Sequence, residues 1–384
     1  MPAPYYFQIP TQIVYGRDSV RQLGDLARKY NVSKALVVTD PGVAGSGVLD
    51  QVLTQLRPSK IEWTVFDQVE VNPTVQTADL ATDLYKQEGC HGVIALGGGS
   101  PLDAGKAVGV LAANPGKAMD YLGIDKVKFP SAPVIAIPTT AGTAAEITDV
   151  TVLTDPAKRA KIGLRSPYVA PRLALLDPVL TLGLPPAPTR DSGLDALTHA
   201  VEAFICVNAW AASDALTLKA IELIGRYLRT AVHNGKDLEA RDGMLTASLL
   251  AGMAFHNTKL TLVHAITGPL GGAFNLPHGA INAIILPHAM EFMLPGAVDK
   301  YVQIAAALGE KVDGISRRAA AEKAVSAVKQ LSQDVGLPAG LSFYGVKDED
   351  LPPLSKTIAG SFMVPLAPRV ANADEILTVC RAAL

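Results

Sequence analysis

"HGVIALGGGSPLDAGKAVGVLA", residues 91–112, changes from one kind of secondary structure to another within a single turn. Its first part is a short apolar run, Val93–Leu96, of the kind carried by a strand buried on both faces. Three consecutive glycines follow, Gly97, Gly98 and Gly99, and then a stretch of helical character opening at Pro101. Ser100 is expected as the helix N-cap, Pro101 as the first helical residue and Asp103 near the place of a capping-box acid. Strand, tight turn and helix in that order form the repeating unit of a parallel sheet. Adjacent glycines let the backbone approach a ligand with no Cβ in the way. A helix start there would turn free N–H groups and a positive dipole end toward a phosphate. The pattern is neither GxGxxG nor a Walker loop; three consecutive glycines, which cost entropy, favour the phosphate reading over a tight turn without a ligand.

The same alternation runs on both sides of this stretch. KALVVTD (34–40), IEWTVFD (61–67), PVIAIPTT (133–140) and RLALLD (172–177) read as strands, while GVLDQVLTQL (47–56) and TADLATDLYKQEG (77–89) read as helices. After LPPAPTR (184–190) strand signals nearly vanish and the chain reads as helices joined by short loops. These patterns predict an α/β domain over residues 1–184, Rossmann-like with a mostly parallel sheet, followed by an all-α domain over residues 185–384. The N-terminal YYFQIPTQIVYG alternates apolar residues and predicts a strand or hairpin that needs a sheet edge. A second loop after a strand, PTTAGTAAEIT (138–148), offers small and hydroxyl side chains that suit a nucleotide or a plain loop. Asp40 ends a strand. There an acid can accept the ribose 2′-hydroxyl of NAD and repel the 2′-phosphate of NADP, or simply begin a turn.

The bulk numbers remove several function classes. The 384 residues suffice for about two domains. A net charge of −2 with no basic block argues against nucleic-acid binding. No apolar run approaches the ~18 residues of a membrane span, and the N-terminus lacks the basic start and apolar run of a signal peptide. Three widely spaced cysteines, Cys90, Cys206 and Cys380, form no CxxC motif, which fits a reducing, cytoplasmic setting.

The chemistry gathers in the second half. In SGLDALTHAVEAFI (192–205), Asp195 and His199 stand four residues apart, on one face of an apolar helix. His264 lies in MLTASLLAGMAFHNTKLTLVHA (244–265), which reads as a single helix, and His278 stands at a helix start between a Pro and a Gly. One carboxylate and three imidazoles from separate helices can close around a divalent ion and leave one position open. Fe²⁺, Zn²⁺, Mn²⁺ and Ni²⁺ all suit such donors; each histidine taken singly also suits a satisfied core position. His91, His233 and His288 read as structural. His256, eight residues before His264 on roughly the same face, reads at most as an outer partner.

Four motifs in order, GGGSPLDAGKA, PTTAGTAAEIT, GLDALTHAVEAF and LVHAITGPLGGAFNLPHGAINAIILPH, resemble the iron-containing (group III) alcohol dehydrogenase family over essentially the whole chain. This family shares a dehydroquinate synthase-like architecture. Together with DKYVQIAAALGEKVDGIS (299–316), the second motif resembles the lactaldehyde reductase, or 1,2-propanediol oxidoreductase, branch. The resemblance implies that Asp195, His199, His264 and His278 hold the metal, usually Fe²⁺. It implies that Gly97, Gly98, Gly99 and Ser100 hold the cofactor pyrophosphate. Thr139, Thr140, Thr143, Thr148 and Lys161 would line the nucleotide, with Asn72 near the adenosine and Asp40 accompanying NAD use. Val150 and Phe255 would border the substrate cleft.

Many relatives carry a further histidine four residues after the first histidine of the VHA motif; here that position is Gly268, followed by Pro269, and GPLGG is expected to end the helix. The departure removes a candidate proton relay and leaves room. The implied activity is hydride transfer between NAD(H) and a small primary alcohol, diol or aldehyde in the cleft between the domains, the metal acting as a Lewis acid. A homodimer through the N-terminal strand is implied as well. The alternatives are a zinc polyol dehydrogenase, a dehydroquinate-synthase-like cyclase, which would want more Lys and Arg around the metal, and a nucleotide-binding protein with a structural metal.

Overall fold

The computed structural model describes residues 5–158 and 160–384. The chain divides into two compact units. One is Ile9–Leu184; the other joins Pro185–Leu384 to the N-terminal stretch that ends at Gln8.

The first unit is built on β1 (Gln12–Tyr15), β2 (Lys34–Val38), β3 (Glu62–Phe66), β4 (Gly92–Gly97), β5 (Gly123–Ile124), β6 (Val134–Pro138), β7 (Val150–Asp155), β8 (Ala160–Arg165) and β9 (Leu173–Leu176). Six strands form one sheet in the order β1-β9-β6-β4-β2-β3, and every pairing in it is parallel. The period of two is visible in its packing. Ala35 and Val37 of β2 join the apolar cluster on one face, and Leu36 and Val38 join the cluster on the other. Strands β4, β6 and β9 are buried throughout, as covered parallel strands must be.

A second, three-stranded sheet, β5-β8-β7, lies outside the sequence expectation; its β7–β8 pair is antiparallel. Its strands mix Thr, Lys and Asp with apolar residues around a DPAK turn, so the apolar-run pattern passes over them.

Helices α1 (Val75–Gln87) and α2 (Gly99–Ala113) are among those that flank the sheet. Thr74 caps α1 by accepting from the Thr77 N–H. The start of α2 differs from expectation. Its N-cap is Gly98 in extended conformation, and no side chain caps it. Ser100 is already inside the first turn, where its hydroxyl accepts from the Asn72 N–H at 3.2 Å. Small residues let α2 lie close on the sheet: a Cβ on Gly105 would stand 2.5 Å from the Ala95 Cβ.

The N-terminus makes a strand and no hairpin. β1 is an edge strand, paired only with β9. Tyr5–Gln8, assigned by expectation to the first domain, belong with the helical unit instead. Tyr5 stacks on Trp210 with centroids 5.4 Å apart, and the Gln8 N–H donates to Asn257 at 2.7 Å. Ring contacts with Trp210 and the Gln8–Asn257 hydrogen bond hold this stretch to the helical unit.

The helical unit contains α3 (Pro186–Ile205), α4 (Ala211–His233), α5 (Leu238–Thr258), α6 (Leu262–Phe274) and α7 (His278–Met293), followed by shorter helices. Two expectations are corrected. The stretch 244–265 is two helices, because Lys259 takes φ 75° and ψ 179°, which no helix continues. His256 and His264 therefore lie on different helices. GPLGG does not end α6, which runs on to Phe274 with Pro269 inside it. Among the described residues no helix is long and apolar enough to cross a membrane.

A buried cation ties the second loop to the frame. Lys106 of α2 is fully buried, and its Nζ donates to Ala145 O at 2.9 Å, Thr148 Oγ1 at 3.2 Å and Val150 O at 2.5 Å, and pairs with Asp103 at 2.9 Å. Glu146 in the same loop is also buried. Desolvation pushes its carboxyl up to about 7, against the hydrogen bond from its own N–H and the charge of Lys106. A raised carboxyl pKa favours folding of the protonated form. Its contribution is complete below the ordinary value of 4.5 and is lost as pH rises to about 7. Glu146→Gln removes that loss. Thermal unfolding should show the variant gaining on the parent between about pH 5 and about pH 8, by up to about 3 kcal/mol at ~1.36 per pKa unit. Parallel pH profiles would contradict the assignment.

Candidate metal centre

Helix α3 carries Asp195, His199 and Glu202 at positions i, i+4 and i+7, one polar line within the stretch 193–205, which is buried throughout. His264 is the third residue of α6, and His278 is the first of α7. Chain breaks just before α6 and α7 thus aim both imidazoles back at α3. Ligand atoms of Asp195, His199 and His264 all lie within 4.8 Å of one another, and His278 Nε2 is 3.9 Å from Asp195 Oδ1. The His199 ring stacks on His264 with centroids 4.8 Å apart and meets Phe255 at 4.5 Å. Asp195, His199 and His264 are buried, whereas the His278 side chain is 37% exposed and forms the accessible side.

Asn282, one turn beyond His278 on α7, sits in the middle of these atoms. Its Oδ1 accepts from the Thr267 hydroxyl at 2.5 Å, and the Asp195 carboxylate, which can only accept, fixes the amide nitrogen on the other side. That nitrogen stands 2.7 Å from Asp195 Oδ1, 3.1 Å from His264 Nε2 and 3.0 Å from His278 Nε2. One amide nitrogen thus stands within hydrogen-bond distance of a carboxylate oxygen and two imidazole nitrogens. Converging imidazole nitrogens and a carboxylate are the donors a divalent cation takes, so the residues present fit such an ion. Electrostatics agree. Burial alone would raise Asp195, but His199, His278, His264 and the Asn282 hydrogen bond outweigh it and hold the carboxyl below its ordinary value. Burial pushes His264 down; Glu202 and Asp195 outweigh it and raise this imidazole.

In the first unit the two loops nest. The Thr139 N–H donates to Gly97 O at 2.9 Å. A Cβ on Gly98 would meet Thr140 at 3.3 Å, and one on Gly99 would meet Thr143 at 2.8 Å. Gly97 has φ +144°, and a Cβ there would strike Pro101 at 2.7 Å. The glycines therefore bring two threonines beside a helix start that no side chain caps. Asp40 is placed here too. One of its oxygens caps the Val43 N–H at 2.9 Å, and the other lies 3.2 Å from the Gly97 Cβ position. Asn72, at φ 59°, joins through Ser100. Its carbonyl accepts from Thr154 at 3.1 Å, and Thr154 pairs across β7–β8 with Lys161. Thr148 is held by Lys106. Val150 opens β7, in the unit that does not hold Phe255.

Two family descriptions match the chain: "Iron-containing alcohol dehydrogenase" over residues 10–178 and "Fe-containing alcohol dehydrogenase family, C-terminal" over residues 189–384. This chain belongs to the iron-containing alcohol dehydrogenase family. The NAD-dependent methanol dehydrogenase of Bacillus methanolicus is 37% identical, covering 98% of this chain and 99% of that protein. Lactaldehyde reductase of Escherichia coli K12 is 40% identical, covering 94% and 95%. A crystal structure of 1,3-propanediol oxidoreductase superposes with TM-score 0.96 at 39% identity over 100% of both chains. Identities this close do not set one branch apart from the others. Membership makes the chain an oxidoreductase and turns the reading away from the cyclase and non-catalytic alternatives.

Three residues of this iron-containing alcohol dehydrogenase escaped the sequence reading. Glu202 continues the Asp195–His199 line by three residues, and Asn282 follows His278 by four on the same face. Lys106 is the one charged residue in the otherwise uncharged stretch 104–116. Each left a readable signal, a polar residue in phase with a polar neighbour or alone in an apolar run.

Close approach of α7 to α3 depends on Gly279. A Cβ there would lie 2.4 Å from the Asp191 carbonyl oxygen, which as backbone cannot swing aside. Gly279→Ala should push the helices apart, cost about 1–3 kcal/mol in denaturant unfolding and weaken retention of metal. Unchanged stability together with unchanged metal content would show that the helices do not depend on this contact.

Proposed function

We propose that this chain oxidises small primary alcohols or diols and reduces the matching aldehydes, moving hydride to and from NAD(H). Asp195, His199, His264 and His278 are its metal ligands. The observation that carries this reading is the convergence of the donor atoms: those of Asp195, His199 and His264 lie within 4.8 Å of one another, and His278 Nε2 is 3.9 Å from Asp195 Oδ1. Fe²⁺ is the ion that family membership favours, although Zn²⁺, Mn²⁺ and Ni²⁺ suit the same donors. When bound, such an ion supplies Lewis acidity toward the substrate oxygen, and the nicotinamide supplies the hydride chemistry.

The protein's own residues do the rest. Asp195 contributes the one negative charge of the ligand set, and the half-exposed His278 marks the side from which an alcohol arrives. Phe255 walls the site against His199, and Val150 is assigned to the substrate as well. Gly97, Gly98, Gly99 and Ser100, with Thr139, Thr140 and Thr143, receive the cofactor phosphates at the uncapped start of α2. Asn72, Thr148 and Lys161 line the remainder of the nucleotide. The Asp40 oxygen beside Gly97 accepts from the ribose and disfavours a 2′-phosphate. Small substrates are supported by relatives named for methanol, lactaldehyde and 1,3-propanediol. We further assign the protein to the cytoplasm, which suits three free, buried cysteines. We assign it as a homodimer formed through the outer edge of β1, with no nucleic-acid partner.

Anaerobic reconstitution with Fe²⁺, followed by an NAD(H) activity panel of short alcohols, diols and aldehydes, tests the reading. His264→Ala should lose metal on dialysis and lose at least ~10²-fold in activity, as removal of one essential group does. Normal metal content and turnover in that variant would sink the site assignment.

Gly268 sets the size argument. It is one turn beyond His264, and a Cβ there would meet nothing within 4 Å. Gly268→His should therefore lower kcat/KM more for branched or longer alcohols than for the shortest ones, on the scale of ~10–200-fold per carbon group. Equal losses across the series would mean that this space is not substrate space.

A further inference from the structure

We propose that Glu202 is the positioning residue of the metal centre, fixing His264 in the one tautomer that can ligate; the inference rests on the ligand set proposed above. Glu202 is fully buried on α3, in line with Asp195 and His199. Its Oε1 accepts from the Thr261 N–H at 3.0 Å, the Thr261 hydroxyl at 2.6 Å and the Val263 N–H at 2.8 Å. Its Oε2 contacts His264 Nδ1. Oε1 is thus filled by three donors, which leaves Oε2 for the imidazole.

The tautomer is set from both ends of the ring. At Nε2 the neighbour is the Asn282 amide nitrogen at 3.1 Å, which is held as the donor end because it also donates to the Asp195 carboxylate at 2.7 Å. Nε2 must therefore present its lone pair, and Nδ1 carries the proton toward Glu202. Nε2 is also the atom that faces Asp195 and His278 through the same amide. A carboxylate behind a ligating imidazole raises its basicity and fixes its plane.

Glu202 does a second thing with the same oxygens. The connection from α5 to α6 passes through Lys259 at φ 75°, ψ 179°, a conformation that non-glycine residues seldom adopt, and Thr261 at φ −126°, ψ −132°. Two N–H groups at the start of α6 end on Glu202, whose negative charge also suits a helix N-terminus. One buried side chain therefore holds both the ligand ring and the backbone that carries it.

Glu202→Gln separates positioning from packing. The backbone N–H groups can only donate, so the glutamine oxygen must stay with Thr261 and Val263, and its NH₂ must turn to His264. The imidazole then accepts at Nδ1 and carries its proton on Nε2, the wrong atom for a ligand. We expect E202Q to bind Zn²⁺ or Co²⁺ about 10–100-fold more weakly in chelator competition. Its NADH affinity should stay near that of the parent. In ¹⁵N-histidine spectra of the metal-free parent, the signal lost in His264→Ala should report protonation at Nδ1. Metal affinity unchanged in E202Q, or a His264 ring protonated at Nε2 in the parent, would overturn the role of Glu202 while leaving the metal centre standing. If E202Q does not fold, the spectrum of the parent decides alone. Full metal retention by His264→Ala would instead remove the ligand set itself, and the positioning role with it.

Discussion

Asp195 is a carboxylate with 1% exposure in the middle of an apolar helix, and the helical unit is arranged around keeping it partnered. A charge taken out of water is tolerable only beside compensating groups and hydrogen bonds. Those partners come from one turn further along α3, from the start of α6 and from the first two turns of α7. Bringing three helices to one carboxylate requires backbones to approach closely, and Gly279 against Asp191 is where that approach is tightest. Behind those partners, Glu202 meets His264, and the Thr267 hydroxyl donates to Asn282. The polar centre and the packing core of this unit are one arrangement.

The first unit handles a buried charge with the opposite sign. Lys106 is enclosed in α2 and meets two backbone carbonyls, a hydroxyl and the carboxylate of Asp103. Its effect is to shape a loop of small residues that has little apolar material of its own. Glycines at 97–99 let that loop nest on the turn after β4, so its threonines stand where a helix start has no cap. In both units one fully partnered ion positions short polar segments on an apolar frame.

Much of this was legible without coordinates. Apolar runs separated by turn residues marked the strands of the six-stranded sheet, because strands covered on both faces have no polar side to display. The i, i+4 spacing of Asp195 and His199 marked a shared helix face, since helix geometry converts spacing directly into direction. Other features misled. Ser100 is a good N-cap by residue type, but extended Gly98 starts the helix earlier and leaves the hydroxyl for Asn72. Apolar periodicity ran unbroken through Lys259, because a single residue at positive φ leaves no mark on hydrophobic pattern.

By itself, then, the sequence determined the two kinds of architecture, the change between them near residue 184, the glycine turn and the short list of candidate metal ligands. These are consequences of local periodicity and residue chemistry. Only the tertiary structure decided which atoms converge: that Tyr5–Gln8 leave the sheet unit for Trp210, that Glu202 backs His264, and that one amide of Asn282 serves three acceptors. Such convergence joins segments as far apart as α3 and α7. Their meeting is set by how closely backbones can pack and by the need of each buried polar atom for a partner, and neither constraint is written in any single stretch of chain.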